Sequence, residues 1–109
     1  MSWIQLTSLQ QLDEIRQKSK VKPQVIFKHS TRCSVSSMAK SRLERKEFPF
    51  GADFYYLDLI SNRTISSQIE EDFKVYHESP QILVIKNGEC VYDESHSGIN
   101  MDEIKEQVL

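Results

Sequence analysis

The chain has 109 residues, enough for one domain with an apolar core but short for two, so residues 1–109 are predicted to form a single domain. With 39% hydrophobic and 28% charged residues it has the composition of a soluble globular protein, and its net charge of −2, with the positive residues scattered, argues against nucleic acid as a partner. No stretch approaches the roughly 20 apolar residues of a transmembrane helix, which argues against a membrane partner as well.

The first half of the chain predicts two pairs of a strand and a helix. Leu9, Leu12 and Ile15 recur at helical spacing behind Ser8, a residue type that caps helix starts. The continuous apolar run 25–27 is typical of a central strand buried on both faces. The predicted bounds are 3–6 and 24–28 for the strands, and 8–19 and 34–46 for the helices.

The second half predicts a strand, a helix, a β-hairpin and a last helix. Ile65, Ile69 and Phe73 recur at helical spacing, and Asn87-Gly88 is a strong signal for a two-residue hairpin turn. The predicted bounds are 52–59, 81–86 and 89–93 for the strands, and 63–76 and 100–109 for the helices.

The predicted order of elements is therefore β-α-β-α-β-α-β-β-α. Strands joined through helices favour a parallel arrangement, and the hairpin adds an antiparallel pair. This order predicts an α/β domain with a mixed central sheet and helices on both faces.

Cys33 lies between the strand at 24–28 and the helix that begins near Ser34. A thiol at that junction lies over the positive end of a helix, where unpaired backbone N–H groups favour an anion. Cysteines so placed beside a cation have pKa values lowered from about 8.5 to roughly 3.5–7.5, and the thiolate is the nucleophile. The sequence therefore predicts that Cys33 is a catalytic nucleophile.

The chain has two cysteines, Cys33 and Cys90, which do not resemble a disulfide framework. Residues 1–6 have neither the charged leader nor the apolar segment of a secretory signal. We therefore expect a protein of the reducing cytoplasm, where a reactive cysteine is more often catalytic than structural.

The order of elements, with a cysteine after the second strand and Ser79-Pro80 opening the fourth, resembles the thioredoxin fold over residues 3–109. In that fold a proline at this place is cis and packs beside the active thiol. The resemblance therefore implies that Pro80 is cis. It also implies that the backbone of Ser79 pairs with a bound substrate in the manner of an added strand.

Finer details resemble the monothiol bacilliredoxin family, the YtxJ-like proteins of bacillithiol-making Gram-positive bacteria. The resemblance rests on Lys-His-Ser-Thr-Arg-Cys within residues 27–36, on Asn62-Arg63, and on His-Glu-Ser-Pro-Gln at residues 77–81. It implies a thiol-disulfide oxidoreductase that uses Cys33 to remove bacillithiol from mixed disulfides on client proteins. Bacillithiol, which joins a cysteine, a glucosamine and a malate, is then a co-substrate, and no cofactor is bound permanently.

Ser36 stands where a dithiol thioredoxin has its second active-site cysteine, so it forms no disulfide with Cys33. Because it follows Cys33 by about one helical turn, it either hydrogen-bonds the thiolate or serves only as a polar residue of the first turn. Cys90 is the other candidate for a resolving thiol. The strand that starts at Pro80 carries the chain on the order of 20 Å away before Cys90. Disulfide closure needs Cα atoms within about 7 Å, so we expect a packing cysteine.

Polar residues beside Cys33 are further candidates for stabilising its thiolate or binding substrate. Arg32 and Lys28 are the nearest cations in sequence, and either can hold a thiolate or a carboxylate. Lys28 ends a strand, so its side chain can instead point to solvent. His29 can instead be a strand-end residue that bonds to a backbone group.

The family resemblance adds Arg63 and His77, which either touch the ligand or pair with the local backbone or carboxylates. The dispersed histidines and cysteines show no metal-ligand spacing, so no metal site is expected. The candidate set beside Cys33 is Thr31, Arg32, His29, Ser36, Ser79, Pro80, Arg63 and His77.

Two other functions stay open at this point because one fold hosts many functions. The first is a thioredoxin-fold protein that binds thiols or senses redox state without turnover. The second is a reductase that depends on another thiol system, such as glutathione or thioredoxin, and acts on a substrate such as a peroxide or arsenate.

Overall fold

The computed structural model describes residues 3–109, whose strands form one mixed sheet. The strands are β1 (Ile4–Gln5), β2 (Gln24–His29), β3 (Asp53–Asp58), β4 (Gln81–Lys86) and β5 (Glu89–Ser95). Their spatial order is β1-β3-β2-β4-β5. The strands β1, β3 and β2 are parallel, β4 is antiparallel to β2, and β5 is antiparallel to β4. The helical crossovers produce the parallel part and the hairpin produces the antiparallel part, as predicted.

The helices follow the predicted order, with shorter bounds. They are α1 (Gln10–Lys18), α2 (Ser34–Glu44), α3 (Arg63–Phe73) and α4 (Met101–Val108). The helix α3 stops before its predicted end because Lys74 takes a left-handed conformation with φ of 56°, which ends helical hydrogen bonding. In the described part of the chain, no helix has both the length and the apolarity to cross a membrane.

The start of α1 differs from the sequence prediction, which made Ser8 its N-cap. Leu9 occupies that position, and its side chain has no capping hydrogen bond. The Gln11 side chain instead reaches back, and its Oε1 accepts hydrogen bonds from the N–H groups of Thr7 at 2.7 Å and Ser8 at 3.1 Å. A glutamine inside the helix thus satisfies backbone donors that precede the helix, whereas the Ser8 side chain caps none of the first-turn N–H groups.

Helices cover both faces of the sheet, as predicted. Side chains alternate along a strand, so the apolar run of β2 sends Val25 and Phe27 to one face and Ile26 to the other. The helices α2 and α4 pack on the first face, and α1 and α3 pack on the second. On the first face the helices contribute Ala39, Leu43, Met101, Ile104 and Val108, and on the second they contribute Leu12, Ile15, Ile65, Ile69 and Phe73.

One edge of the sheet gathers the segments that carry the candidate residues. Lys28, near the end of β2, pairs with Leu57 of β3 and with Gln81 at the start of β4. The Leu59 N–H donates a hydrogen bond to the His29 carbonyl at 2.8 Å, which joins the segment that follows β3 to the end of β2. The Cys33 loop, the start of α3 and the Ser79–Pro80 segment therefore meet at this edge, which we call the active edge.

Candidate functional site

Cys33 is the N-cap residue of α2. Its backbone is extended (φ −106°, ψ 122°), and its carbonyl accepts a hydrogen bond from the Ser37 N–H at 3.0 Å. Its own N–H donates to the Ser30 carbonyl at 3.1 Å, which closes the preceding loop into a turn. The side chain is half-buried and makes no capping hydrogen bond. The thiol is therefore reachable from solvent and lies where the first-turn N–H groups favour an anion.

The Ser36 hydroxyl faces the sheet, so the structure does not support the hydrogen bond to Cys33 that the sequence left open. The side chain is fully buried, and its Oγ accepts a hydrogen bond from the Ser30 N–H at 3.0 Å and lies 2.7 Å from His29 Nδ1. Ser36 points inward because it shares its helix face with the buried Ala39, one turn later. The hydroxyl thus ties the loop before Cys33 to the end of β2.

His29 is a buried partner of Ser36, and its ring bonds to that side chain. The ring centroid lies 5.6 Å from that of Phe27 and 5.4 Å from that of Tyr56. Burial, with the nearby Lys40 ammonium, lowers the pKa of His29. The ring is therefore neutral near pH 7 and offers one donor and one acceptor.

The Ser79–Pro80 peptide bond is cis, which confirms the prediction made from the family resemblance. Pro80 is buried, and its carbonyl accepts a hydrogen bond from the His96 N–H at 3.1 Å. Within residues 3–109 the buried Ser79 hydroxyl has no hydrogen-bond partner. An unsatisfied hydroxyl therefore lies at the active edge, in the segment predicted to pair with substrate.

Lys28 is fully buried, so the alternative that its side chain points to solvent does not hold. Side chains alternate along β2, which places Lys28 on the α1–α3 face with Ile26. Its Nζ donates to Gln81 Oε1 at 3.2 Å, the one acceptor that the described chain offers its three N–H groups. Burial lowers the pKa of Lys28 to about 8, although the carboxylates of Glu70 and Glu78 act in the opposite direction.

Arg63 and His77, which only the family resemblance singled out, line one cleft of about 280 Å³ beside α3. The His77 N–H donates to Glu70 Oε2 at 2.9 Å, and its Nδ1 lies 3.4 Å from Ser66 Oγ. Burial and the charge of Lys28 lower the pKa of His77, so the ring is neutral near pH 7. The structure thus brings these two predicted residues together. The cleft is lined by Leu59, Arg63, Ser66, Ser67, Glu70 and His77.

Thr31 and Arg32 lie on the exposed outer side of the turn before Cys33. Arg32 forms no ion pair with any residue of the described range 3–109. Both side chains therefore face solvent next to the thiol, where they remain candidates for contact with a substrate. Across the same range, no group of three histidine, cysteine or acidic side chains is arranged to hold a metal ion.

Cys90 lies at the opposite end of the sheet from the active edge. It pairs with Ile85 near the end of β4, whereas Gln81 at the start of β4 pairs with Ser95. Its Sγ donates to the Tyr92 carbonyl at 3.3 Å, and burial raises the pKa of the thiol to about 11. A thiol held in its protonated form is a poor nucleophile. Both its position and its protonation therefore fit a packing role.

Sequence reasoning missed Gln81 as part of the site. Its side chain accepts from Lys28 and from the Glu78 N–H at 3.4 Å, and it donates to the Tyr76 carbonyl at 3.0 Å. It thus joins the buried lysine to the segment before Pro80. The available signal was a glutamine opening a strand that is otherwise apolar, since a buried polar side chain needs partners.

The chain is similar to known proteins over most of its length. The model of the family described as monothiol bacilliredoxin BrxC matches residues 4–104. A solved structure described as a candidate oxidoreductase with a thioredoxin fold is 30% identical, with a TM-score of 0.82, over 94% of this chain and 90% of that chain. Fasciola hepatica thioredoxin (19% identical, TM-score 0.73, 95% and 94% covered) and Trypanosoma brucei brucei thioredoxin (17% identical, TM-score 0.78, 98% and 91% covered) share the fold. The predicted thioredoxin-like fold is confirmed.

Proposed function

The chain belongs to the monothiol bacilliredoxin family, and we propose that it removes bacillithiol from mixed disulfides on client proteins through Cys33. The observation that carries this proposal is a half-buried thiol at the start of α2 with no second thiol at the same edge of the sheet. Such a site performs thiol-disulfide exchange and needs a thiol from outside the chain to finish its cycle.

In the first step, the Cys33 thiolate attacks the bacillithiol sulfur of the mixed disulfide. A new disulfide forms between Cys33 and bacillithiol as the old disulfide breaks. The electron pair of the broken bond leaves on the client sulfur, which takes up a proton from water. The client is thereby reduced, and Cys33 is oxidised.

In the second step, the thiolate of another bacillithiol attacks the bacillithiol sulfur joined to Cys33. This attack forms the oxidised bacillithiol dimer and releases Cys33 as a thiolate. An outside thiol is required because Ser36 carries no sulfur, and because Cys90 is distant and held protonated. Bacillithiol is thus a co-substrate, consumed in each turnover.

The Ser79–Pro80 segment supports the proposal because it offers a binding site for the client protein. The segment opens β4 at the active edge, and the Ser79 hydroxyl there is buried without a partner in residues 3–109. A client strand that pairs with this backbone would present its disulfide to Cys33. Bacillithiolated client proteins are accordingly the proposed partners, and the reducing cytoplasm is the proposed compartment.

The test compares the release of bacillithiol from a model mixed disulfide by the wild type, by Cys33→Ser and by Cys90→Ala, with free bacillithiol present. We expect catalytic release by the wild type and by Cys90→Ala, and none above background by Cys33→Ser, because only Cys33 is placed to attack. Equal rates for the wild type and Cys33→Ser would contradict the proposal. Uptake of bacillithiol once per chain without turnover would instead identify a thiol-binding sensor, and faster turnover with glutathione would identify another thiol system.

A further inference from the structure

The cleft beside α3 lies at the active edge but takes no part in the exchange steps at sulfur. Leu59, in its wall, donates its N–H to the His29 carbonyl at the end of β2, four residues before Cys33. On its other side, His77 is two residues before Ser79 in the segment proposed to hold the client. A molecule joined to Cys33 therefore has this cleft as a neighbour.

Two cations in and behind the cleft each have at most one hydrogen-bond partner in the described chain. The Arg63 guanidinium is exposed and forms no ion pair or side-chain hydrogen bond with residues 3–109. Behind the cleft, the fully buried Lys28 ammonium has one acceptor, on Gln81, for its three N–H groups. Its charge acts on both His77 and Glu70, which line the cleft. The carboxylates of Glu70 and Glu78 already act on the Lys28 charge, so the cation available to a negatively charged ligand in the cleft is Arg63.

The other cleft residues offer hydroxyl and carboxylate groups. Ser67 is exposed, and Ser66 lies behind it against His77. Glu70 uses Oε2 to accept the His77 N–H, and Oε1 has no hydrogen-bond partner within residues 3–109. A carboxylate oxygen next to serine hydroxyls suits a ligand that carries several hydroxyl groups, such as a sugar.

We infer that this cleft binds the malyl-glucosamine portion of bacillithiol, with Arg63 pairing with the malate carboxylates and with Ser67 and Glu70 receiving the sugar. This inference rests on the proposed function, because it takes bacillithiol as the molecule joined to Cys33. A guanidinium matches a carboxylate with two parallel hydrogen bonds, which makes Arg63 the specificity residue for the malate. The cleft, about 280 Å³, suits part of a small molecule better than a whole protein segment.

The first experiment measures binding without any thiol chemistry. Malyl-glucosamine, which lacks the cysteine, is titrated into the wild type, Arg63→Gln and Ser67→Ala, and amide NMR shifts are followed. We expect saturable shifts at residues of the cleft in the wild type, with affinity weakened roughly tenfold or more in Arg63→Gln. Arg45→Gln removes the same charge from the exposed residue that follows α2 and serves as the matched control, with affinity near that of the wild type. Absence of shifts in the wild type would overturn the inference.

The second experiment separates this site from the proposed function. The ratio kcat/KM is measured for mixed disulfides of bacillithiol and of cysteinyl-glucosamine, which lacks the malate. We expect Arg63→Gln to lower kcat/KM roughly tenfold for the first substrate only. An equal loss for both substrates would overturn the role of Arg63. If malyl-glucosamine binds in the cleft but the wild type turns over neither substrate, the site stands and the proposed function fails.

Discussion

At the scale of single residues, Ser36 has a role that its place in the sequence does not reveal. A second cysteine at this position would supply a resolving thiol, but Ser36 supplies a buried hydroxyl that holds the Ser30 amide and the His29 ring. The serine therefore provides no redox group, and its hydroxyl instead holds the loop that leads to Cys33. Its orientation depends on the depth at which α2 sits on the sheet, which is a tertiary property, so the helical spacing from Cys33 alone did not predict it.

We expect Ser36→Ala to lower the free energy of unfolding by about 1–3 kcal/mol, because the partly buried Ser30 N–H and the buried His29 ring lose their partner. Ser37→Ala is the matched control. It removes an exposed hydroxyl from the same helical turn, so it should change stability by less than about 0.5 kcal/mol. Urea denaturation of both variants measures the difference. Equal midpoints would show that the buried hydroxyl bonds contribute no net stability.

At the scale of secondary structure, two helix starts show how side chains decide where a helix begins. Asn100 caps α4, with its Oδ1 accepting the Glu103 N–H at 2.9 Å. Ser8 looks equally suitable in the sequence, yet α1 begins later and Gln11 satisfies the nearby N–H groups. Both are residues of good capping type, and only the path of the incoming chain distinguishes them.

We expect Asn100→Ala to lower the free energy of unfolding by about 1 kcal/mol, since an N–H at the start of α4 loses its acceptor. Ser8 is predicted from the sequence to cap α1 but does not. Ser8→Ala should therefore change the free energy of unfolding by only a few tenths of the effect of Asn100→Ala. Thermal and urea unfolding of the two variants provide the comparison. A larger loss for Ser8→Ala would mean that the start of α1 depends on the serine after all.

The order and faces of the elements follow from the sequence because they depend on local patterns. The apolar run of β2 and the helical spacing of Ile65, Ile69 and Phe73 each specify a buried surface, and the structure buries each of them. Lys28 and the cleft beside α3 could not be found this way. Their surroundings come from strands and helices distant in the sequence, and a charged residue at a strand end ordinarily reaches solvent.

At the scale of the whole molecule, buried Lys28 couples the stability of the fold to pH. Its pKa is about 8 in the folded chain, against an ordinary value of 10.5, so between these values the unfolded chain holds more protons than the folded one. Stability therefore rises with pH in this interval. Cys90 and Tyr55 act in the opposite direction, because burial raises their pKa values from 9.0 to about 11 and from 10.0 to about 12.

Comparison with Lys28→Met isolates the lysine, because both chains retain Cys90 and Tyr55. We expect the difference in free energy of unfolding, wild type minus Lys28→Met, to increase by about 1 kcal/mol from about pH 7 to about pH 9. Lys20→Met, which removes an exposed lysine, should keep the pH dependence of the wild type. Urea denaturation at several pH values gives the three curves. A constant difference between the wild type and Lys28→Met would contradict the lowered pKa of Lys28.

The bonds of Ser36 also bear on how a one-thiol protein persists in evolution. A single base change can turn a serine codon into a cysteine codon, so the route to a two-thiol site is short in genetic terms. In this chain the same change would replace the hydroxyl that holds the loop with a thiol, a weaker hydrogen-bonding group. Selection for a stable fold would then retain the serine even where a second thiol offered a chemical benefit, so the proposed dependence on an outside thiol would also be a property of the packing.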